Sequence, residues 1–353
     1  MSGVESRRAA GVDPATRTNP GEAFDPRLVS RVVAMACRAP SLHNTQPWTW
    51  RLHGDRLELR ADRDRQLRVA DPDGHSLRIS CGAALALAEL AFAGEGWLLH
   101  IERLPDPDQP DLLASFTDPH PHESTAAERE MLAAAARRYS ERRPFKPGAV
   151  RDDVVEALRA AADGEGVYAH FPVREDEKLN LAVAVSWADR VERRDAAYIA
   201  EMTRWLRDAD VHTEGVPSSA IPHVSAGHPR HTDVPLRDFE VGLSGREQIQ
   251  ADVDERPLIA VVLTESDTPR EQLAAGGSMM RLMLQAERTG LASCPLSQAV
   301  DLLAFRARVQ TLMGWTSYPQ MMLRIGYPRP GQPARGRSPR RPVADQLDVA
   351  QTR

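Results

Sequence analysis

The stretch SLRISCGAALALAELAFA, from Ser76 to Ala93, is apolar or small on nearly every side of a helix. A surface helix has one polar face, whereas a helix that is apolar all round lies in a core. Gly94-Glu95-Gly96 then ends it, because glycine readily adopts the left-handed conformation that closes helices. The stretch therefore predicts a buried central helix, followed by a strand from Trp97 to Arg103.

A similar helix recurs in the C-terminal part, from Gly276 to Thr289, and Gly290 closes it. Within it, Gly277-Ser278-Met279-Met280 matches Gly82-Ala83-Ala84-Leu85 of the first helix. The flanking elements also follow a similar order, namely helix, strand, apolar helix, glycine and strand. This colinear repeat predicts an internal duplication, in which one half packs on the other as a partner subunit would.

The rest of the chain completes an α+β fold of two tandem halves, residues 25–123 and 124–345. A first helix runs between Pro26 and Pro40, because proline cannot continue a helix. The other predicted helices are 124–139, 151–162 and 176–209, and the other predicted strands are 48–52, 56–61, 166–173, 257–264 and 321–325.

Four segments lack such periodicity. Residues 1–24 predict a disordered N-terminal tail, and residues 346–353 a C-terminal tail. The proline-rich, acidic stretch 104–122 predicts a linker. Residues 210–245, rich in Pro, Gly, His and Ser, predict a long functional loop or lid in the second half.

The composition is that of a globular protein, with 353 residues, 42% hydrophobic and 27% charged. A net charge of −5 gives no reason to expect a nucleic-acid partner. Only two of the 45 basic residues are lysine, so an arginine cluster carries less weight here. Residues 1–22 are polar and lack the apolar core expected of a signal peptide, and no stretch has the roughly 18 continuous apolar residues of a membrane span. We therefore expect a cytoplasmic protein without a membrane partner.

Several other classes of site are disfavoured. Three cysteines are widely spaced and form no CxxC pair, which argues against disulfides and structural zinc. Ser41 and His43 have neither the acid nor the GxSxG elbow of a hydrolase. His120-Pro121-His122-Glu123 lacks the helical spacing of metal-binding HExxH. No GxGxxG opens a βαβ unit and no Walker loop is present. We expect no metal and no catalytic nucleophile.

The segment Ala39-Pro40-Ser41-Leu42-His43-Asn44-Thr45-Gln46-Pro47-Trp48 links the first helix to the first strand. It offers a hydroxyl, amides and exposed backbone groups, and its prolines limit its flexibility. Such a rigid hydrogen-bonding edge suits a flat polar ring system. A helix stop followed by an Asx-type turn explains the same residues, so the segment alone leaves both interpretations open.

Three further segments carry candidate residues: Arg137–Phe145, Gly290–Gln298 and Arg335–Pro342. Arginine forks in the first and third suit phosphate oxygens. A solvated helix end and a disordered basic tail are the simpler interpretations of the same arginines. The second is a post-helical loop in which Pro295 and Leu296 can lie against a ring. Its Cys294 has no paired His or Asp and fits an inert buried thiol.

Taken together, the four segments resemble the nitroreductase superfamily of FMN enzymes, and most closely its Acg-like branch of long single-chain members. The resemblance covers most of residues 27–345. In ordinary nitroreductases two subunits share each FMN. Here the Pro-Ser loop lies in half one, while the arginine segments and the Cys-Pro loop lie in half two. Asp25-Pro26-Arg27 is no second arginine motif, and Ala162–Glu165 is no second Pro-Ser loop. The resemblance therefore implies a pseudo-dimer with one FMN site per chain.

The resemblance also implies which residues bind FMN. Arg138 is expected at the phosphate, with Arg340 or Arg341 closing on it. Arg142 is expected near N1 and the C2 carbonyl, where a cation stabilises reduced flavin. The full set is Arg38, Pro40, Ser41, Asn44, Gln46, Arg138, Ser140, Arg142, Pro295, Leu296, Ser297, Arg340 and Arg341, of which Pro295, Leu296 and Ser297 are expected near N5. Many relatives carry Glu-Gly at Ser297-Gln298, which leaves the flavin potential and the substrate open.

By the same resemblance, the expected function is an FMN-dependent oxidoreductase that passes hydride or electrons from NAD(P)H to a small-molecule acceptor. The alternative is an FMN-binding or FMN-storing protein whose site is covered by residues 210–245 and which turns over little. Because part of the usual dimer interface is internal here, a monomer and a homodimer are both compatible with the sequence.

Overall fold

The computed structural model of the chain describes residues 20–207, 212–217, 223–224, 248–249, 255–329 and 338–350. The helices are α1 Pro26–Ala36, α2 His75–Gly94, α3 Ala126–Arg137, α4 Asp152–Ala162, α5 Glu175–Glu192, α6 Ala196–Trp205, α7 Pro269–Arg288 and α8 Leu303–Met313. The strands are β1 Trp48–His53, β2 Arg56–Ala61, β3 Trp97–Arg103, β4 Leu112–Pro121, β5 Val167–His170, β6 Leu206–Arg207, β7 Val216–Pro217, β8 His223–Val224, β9 Gln248–Ile249, β10 Leu258–Thr264, β11 Ala292–Leu296, β12 Tyr318–Gly326 and β13 Leu347–Val349.

Two sheets with the same strand order form the outer layers. The first has the order β13-β1-β2-β4-β3 and the second β11-β12-β10-β5. Taken from its other edge, the second sheet has the order β5-β10-β12-β11. In both sheets, with β13 left out, the order is therefore first, second, fourth and third strand along the chain, and all neighbouring strands are antiparallel. In each half the long apolar helix connects the second strand to the third. Helix α2 packs on the first sheet, α7 packs on the second, and the two helices pack on each other.

The contact between α2 and α7 is centred on two glycines. A Cβ atom on Gly82 would lie 1.9 Å from the carbonyl oxygen of Leu273, and one on Gly276 would lie 2.0 Å from that of Ile79. Neither position has room for a side chain. The contacts are reciprocal, as they are across a two-fold axis. Gly82 is therefore equivalent to Gly276, one residue before the Gly277 that the sequence comparison matched to it.

Several predicted elements differ in the structure. The predicted linker 104–122 contains strand β4, whose buried residues Leu112 to Phe116 fill the core side of the first sheet. The predicted helix 176–209 is two helices, α5 and α6, separated by a break before Asp195, which caps α6. Helix α8 was missed, because its apolar residues have little helical periodicity. The post-helical loop predicted at 290–298 contains the edge strand β11, where proline is tolerated.

The described parts of both predicted tails contain secondary structure. Of the N-terminal tail, residues 1–19 lie outside the described part, and Pro20–Phe24 form a 3-10 helix. The predicted tail 346–353 contains β13, which pairs in parallel with β1. Gln346 is buried and accepts the indole N–H of Trp48 at 2.8 Å. The lid-like segment 210–245 falls mainly on undescribed residues, but residues 212–217 and 223–224 are described.

Helix α2 is long and apolar enough to cross a membrane. Most of it is buried inside the protein, against α1, α7 and the first sheet. Its composition is therefore explained by its place at the centre of the core.

We expect the substitution Gly276→Ala to lower the free energy of unfolding by about 1–3 kcal/mol, because the added methyl overlaps the Ile79 carbonyl. Gly277→Ala is the matched control in the same helix. Its Cβ would meet no atom closer than 3.5 Å, and alanine favours the helix by about 1 kcal/mol. Denaturant unfolding followed by circular dichroism measures both variants. Equal stability of the two would contradict the tight crossing.

Candidate functional site

The loop between α1 and β1 is tight and partly left-handed; we call residues 40–46 the Pro-Ser loop. His43, Asn44 and Gln46 have φ values of 48°, 56° and 51°. Asparagine tolerates this region better than most residues. The Ser41 hydroxyl accepts the backbone N–H of Gln46 at 2.9 Å and so closes the turn. Pro40 is buried.

Two amides of the Pro-Ser loop contact a distant segment, residues 212–217, which we call the strap. Asn44 Nδ2 donates to the carbonyl oxygen of Gly215 at 3.0 Å. Gln46 Nε2 donates to that of Thr213 at 2.9 Å. Asn44 is 8% exposed and Gln46 is 0% exposed. The side-chain amides of Asn44 and Gln46, both predicted to bind flavin, thus donate to backbone carbonyl groups of the same chain.

An ion pair also joins the strap to half one. Arg65 Nη1 lies 2.5 Å from Glu214 Oε2 and donates to Thr45 O at 3.1 Å. Asp62 Oδ2 lies 3.3 Å from Arg65 Nε. Both partners of the Arg65–Glu214 pair are partly exposed, so the pair adds little stability by itself. Its main effect is to fix the position of the strap.

Three arginines converge behind the Pro-Ser loop, and we call Arg38, Arg138 and Arg340 the arginine cluster. Arg138 Nη2 donates to Arg38 O at 3.0 Å. Arg38 Nη2 donates to Ala136 O at 2.7 Å, in the last turn of α3, where a cation is favoured. The described acceptors of Arg340 are Cys37 O, Arg38 O, Ala39 O, Ser338 O, Pro339 O and Asn44 Oδ1.

The arginine cluster brings three positively charged side chains close together. Burial lowers the pKa of Arg340 to about 9, and repulsion from Arg138 and Arg38 adds to this. Among the described residues, every acceptor of Arg340 is a carbonyl or amide oxygen and none is a carboxylate. Guanidinium groups recognise phosphate and carboxylate most strongly. The donor set is therefore suited to a bound anion.

The two C-terminal arginines lie on different sides of the loop. Arg340 belongs to the cluster, whereas the backbone N–H of Arg341 donates to Gln46 Oε1 at 2.9 Å. The guanidinium of Arg341 lies 3.9 Å from Asp62. Of the two candidates, Arg340 is thus the one beside Arg138.

The segment after α3 is fastened to β11. Ser140 forms a parallel bridge with Ser293, and Glu141 N donates to Ser293 O at 2.9 Å. A buried ion pair that was not predicted from the sequence lies here, in which Arg143 Nε and Nη2 are 2.8 and 2.5 Å from the Glu141 carboxylate. This hydrogen bonding raises the pKa of Arg143. Arg142, between them, is half-buried.

The predicted N5 residues lie at the end of β11. Pro295 is half-buried, and Leu296 is buried in an apolar cluster with Met322 and Val300. Ser297 Oγ donates to Asp301 Oδ2 at 3.0 Å. The Leu296 side chain is therefore part of the core under the second sheet.

Asp301 connects Ser297 to the start of α2. Ser76 Oγ donates to Asp301 Oδ1 at 3.0 Å. The Asp71 carboxylate accepts the backbone N–H groups of Ser76 and Leu77 at 2.9 and 2.8 Å and so caps the helix. Burial raises the pKa of Asp71 to about 7, because it outweighs these two hydrogen bonds, and Asp301 raises it further while Arg78 lowers it.

A pKa of about 7 for Asp71 has a defined effect on stability. The folded protein binds the Asp71 proton more tightly than the unfolded chain does. The resulting contribution to the free energy of unfolding is therefore fully present below about pH 4 and is lost as the pH rises through 7. We expect the unfolding free energy of Asp71→Asn, relative to the wild type, to rise by up to about 4 kcal/mol between pH 4 and 8. Denaturant unfolding across this range measures it. Exposed Asp73 provides the control Asp73→Asn. A difference independent of pH would contradict the shift.

The structure thus brings only some of the predicted residues into hydrogen-bonded contact. One connected group contains Arg38, Ser41, Asn44, Gln46, Arg138, Arg340 and Arg341. Ser140 and Ser297 are held by other partners, at β11 and Asp301. Arg65, Asp62 and Glu141 were missed, because charged residues at these spacings usually lie on solvated surfaces. Within the described ranges, no group of three or more His, Cys, Asp or Glu residues could hold a metal ion.

Two known proteins similar to this chain carry the same family name. A protein of Mycobacterium tuberculosis strain H37Rv named "Putative NAD(P)H nitroreductase Rv3131" is 34% identical over 306 residues, covering 86% of each chain. Another, "Putative NAD(P)H nitroreductase acg", is 31% identical over 329 residues, covering 91% of this chain and 96% of its own. No protein-family profile matches. The chain belongs to the nitroreductase superfamily, in its Acg-like branch.

Solved structures are similar at a lower level. The crystal structure of the FMN and NADPH-dependent nitroreductase NfnB from Sphigopyxis sp. strain HMH has 16% identity and a TM-score of 0.39, covering 63% of this chain and 99% of its own. A Bacteroides fragilis nitroreductase with bound FMN has 15% identity and a TM-score of 0.36, covering 59% and 93%. Scores this low carry no inference about the site.

Proposed function

We propose that the protein binds one FMN and passes electrons from NAD(P)H through it to a small-molecule acceptor. The observation that carries this proposal is the arginine cluster beside the Pro-Ser loop. Arg138 and Arg340 come from the C-terminal half, and Arg38 from the N-terminal half. Their clustered guanidinium groups fit a phosphate dianion, and the two relatives described above carry the name "Putative NAD(P)H nitroreductase".

In this proposal the arginine cluster binds the FMN phosphate, with Arg138 as its main donor. Arg142 lies near the pyrimidine edge of the ring, and the Pro-Ser loop, Ser140 and the β11 segment Pro295 to Ser297 line the ring. When bound, FMN would supply the hydride-transfer chemistry, so no protein nucleophile is needed. The residues of the chain orient the ring, neutralise the phosphate and control access. The cytoplasm, where reduced nicotinamide is made, is the implied compartment.

We further infer that the two halves arose by internal duplication. The shared strand order of the two sheets and the reciprocal contact of Gly82 with Gly276 support this inference. Because each half already covers the central helix of the other, a monomer needs no second chain to complete its core. The Pro-Ser loop and the arginine segments each occur once, which gives one site.

A second candidate function is FMN binding or storage with little turnover. It is favoured by the strap, whose carbonyl groups occupy the Asn44 and Gln46 amides. The two candidates differ in steady-state NAD(P)H oxidation with nitroaromatics or quinones when FMN is fully bound. Absence of turnover would favour storage. Restored turnover after deletion of residues 214–240 would favour a gated oxidoreductase, and unchanged behaviour would argue against control by this segment.

We expect Arg138→Ala to weaken FMN binding by about 10- to 150-fold, the loss of a charge-assisted hydrogen bond worth roughly 1.5–3 kcal/mol. Riboflavin lacks the phosphate, so its affinity should change little. Quenching of flavin fluorescence measures both affinities. Arg137→Ala is the control, because Arg137 is exposed and pairs with Glu287 at the surface. Equal losses for FMN and riboflavin would contradict a phosphate at the cluster.

A further inference from the structure

The amide groups of Asn44 and Gln46 are already used by the chain. Asn44 Nδ2 donates to Gly215 O and to Pro339 O, at 3.0 and 3.1 Å, and its Oδ1 accepts from Arg340 at 2.9 Å. A primary amide has two N–H donors, so those of Asn44 are both occupied. Neither side chain has a remaining N–H directed to a flavin in the manner that the resemblance implies.

We propose that Asn44 and Gln46 are positioning residues that fasten the strap and the C-terminal segment 338–341 to the Pro-Ser loop. Gln46 makes the same two connections, since its Nε2 donates to Thr213 O and its Oε1 accepts from Arg341 N, each at 2.9 Å. The expected effect of these residues on FMN binding rests on the proposed function. Their contacts with the strap and the C-terminal segment do not depend on that function.

The fastening includes backbone and ionic contacts around the amides. Gly215 N donates to Asn44 O at 3.3 Å, so residue 44 holds the strap from its backbone as well. The Arg65–Glu214 ion pair lies next to these contacts, and Arg65 also donates to Thr45 O. The strap is therefore joined to the Pro-Ser loop directly at residues 213 and 215, and through Arg65 at residue 214.

The chain leading to the strap is anchored on the same half. Glu201 of α6 is 5% exposed and accepts the backbone N–H groups of Val69 and Ala70. Tyr198 and Met202 pack with Leu67 and Ala70 in a separate apolar cluster. Leu206 then pairs with Val216 in a short parallel ladder. Because α6 is docked, loss of the amide contacts should release the strap alone.

This arrangement predicts coupling between Asn44 and Glu214, although Glu214 is outside the proposed flavin contacts. If Asn44 acts on flavin through the strap, Asn44→Ala and Glu214→Gln remove the same constraint. Their effects on the FMN dissociation rate should then be non-additive, with the double variant close to the stronger single variant. A direct amide contact with the flavin would give additive effects.

The first experiment is hydrogen exchange of the full-length, FMN-free protein. We expect Asn44→Ala and Glu214→Gln each to speed exchange in peptides covering residues 212–217 by at least tenfold, with α6 unchanged. Asn44→Asp keeps the size and the left-handed preference but replaces both N–H donors by oxygen, and should have the same effect. Glu130→Gln removes the surface pair with Arg288 and is the control. Unchanged strap exchange in Asn44→Ala and Asn44→Asp would overturn the proposal.

The second experiment is a double-mutant cycle that combines Asn44→Ala with Glu214→Gln. Flavin fluorescence gives the FMN dissociation rate of each variant, and the absorption spectrum of the bound flavin is recorded as well. Non-additive rates with an unchanged spectrum support positioning, whereas additive rates or a shifted spectrum in Asn44→Ala alone overturn it. If no variant and no wild-type protein binds FMN, the proposed function fails. The exchange experiment then still decides whether the two amides fasten the strap.

Discussion

The close crossing of α2 and α7 is the constraint on which the rest of the fold depends. Only glycine fits at positions 82 and 276, because each faces a carbonyl oxygen of the other helix. This contact brings the two helices together without a side-chain layer between them and sets the spacing of the two sheets. It also brings the end of α1 next to the end of α3, so that Arg38 and Arg138 meet across the halves.

The candidate site is a consequence of that meeting. Carbonyl groups at the ends of two helices attract guanidinium groups, and three arginines gather there. A buried cation without a counterion is costly unless a ligand neutralises it. The burial of Arg340 among carbonyl oxygens therefore supports the proposed anion site. The strap and the C-terminal segment, both of the second half, contact the Pro-Ser loop beside it.

The sequence predicted what depends on local pattern and on family motifs. The central helices, the hairpin β1–β2 and the Pro-Ser loop follow from periodicity, turn residues and the resemblance. Contacts between distant segments, such as β13 on β1 and Glu214 on Arg65, could not be predicted, because they leave no periodic signal. The Glu141–Arg143 ion pair is local, but its burial depends on the tertiary structure and was not predicted either. The roles of Asn44 and Gln46 depend on carbonyl groups more than 160 residues away in the chain. Side-chain identity alone does not reveal such partners.

The central claim is that two halves of one chain build a single FMN site. Calorimetric titration of the flavin-free protein with FMN, with the protein mass determined by light scattering, tests it most directly. The account predicts saturation at one FMN per chain in a monomer, with riboflavin binding more weakly. Two FMN molecules per chain, one FMN shared by two chains, or no binding would contradict it.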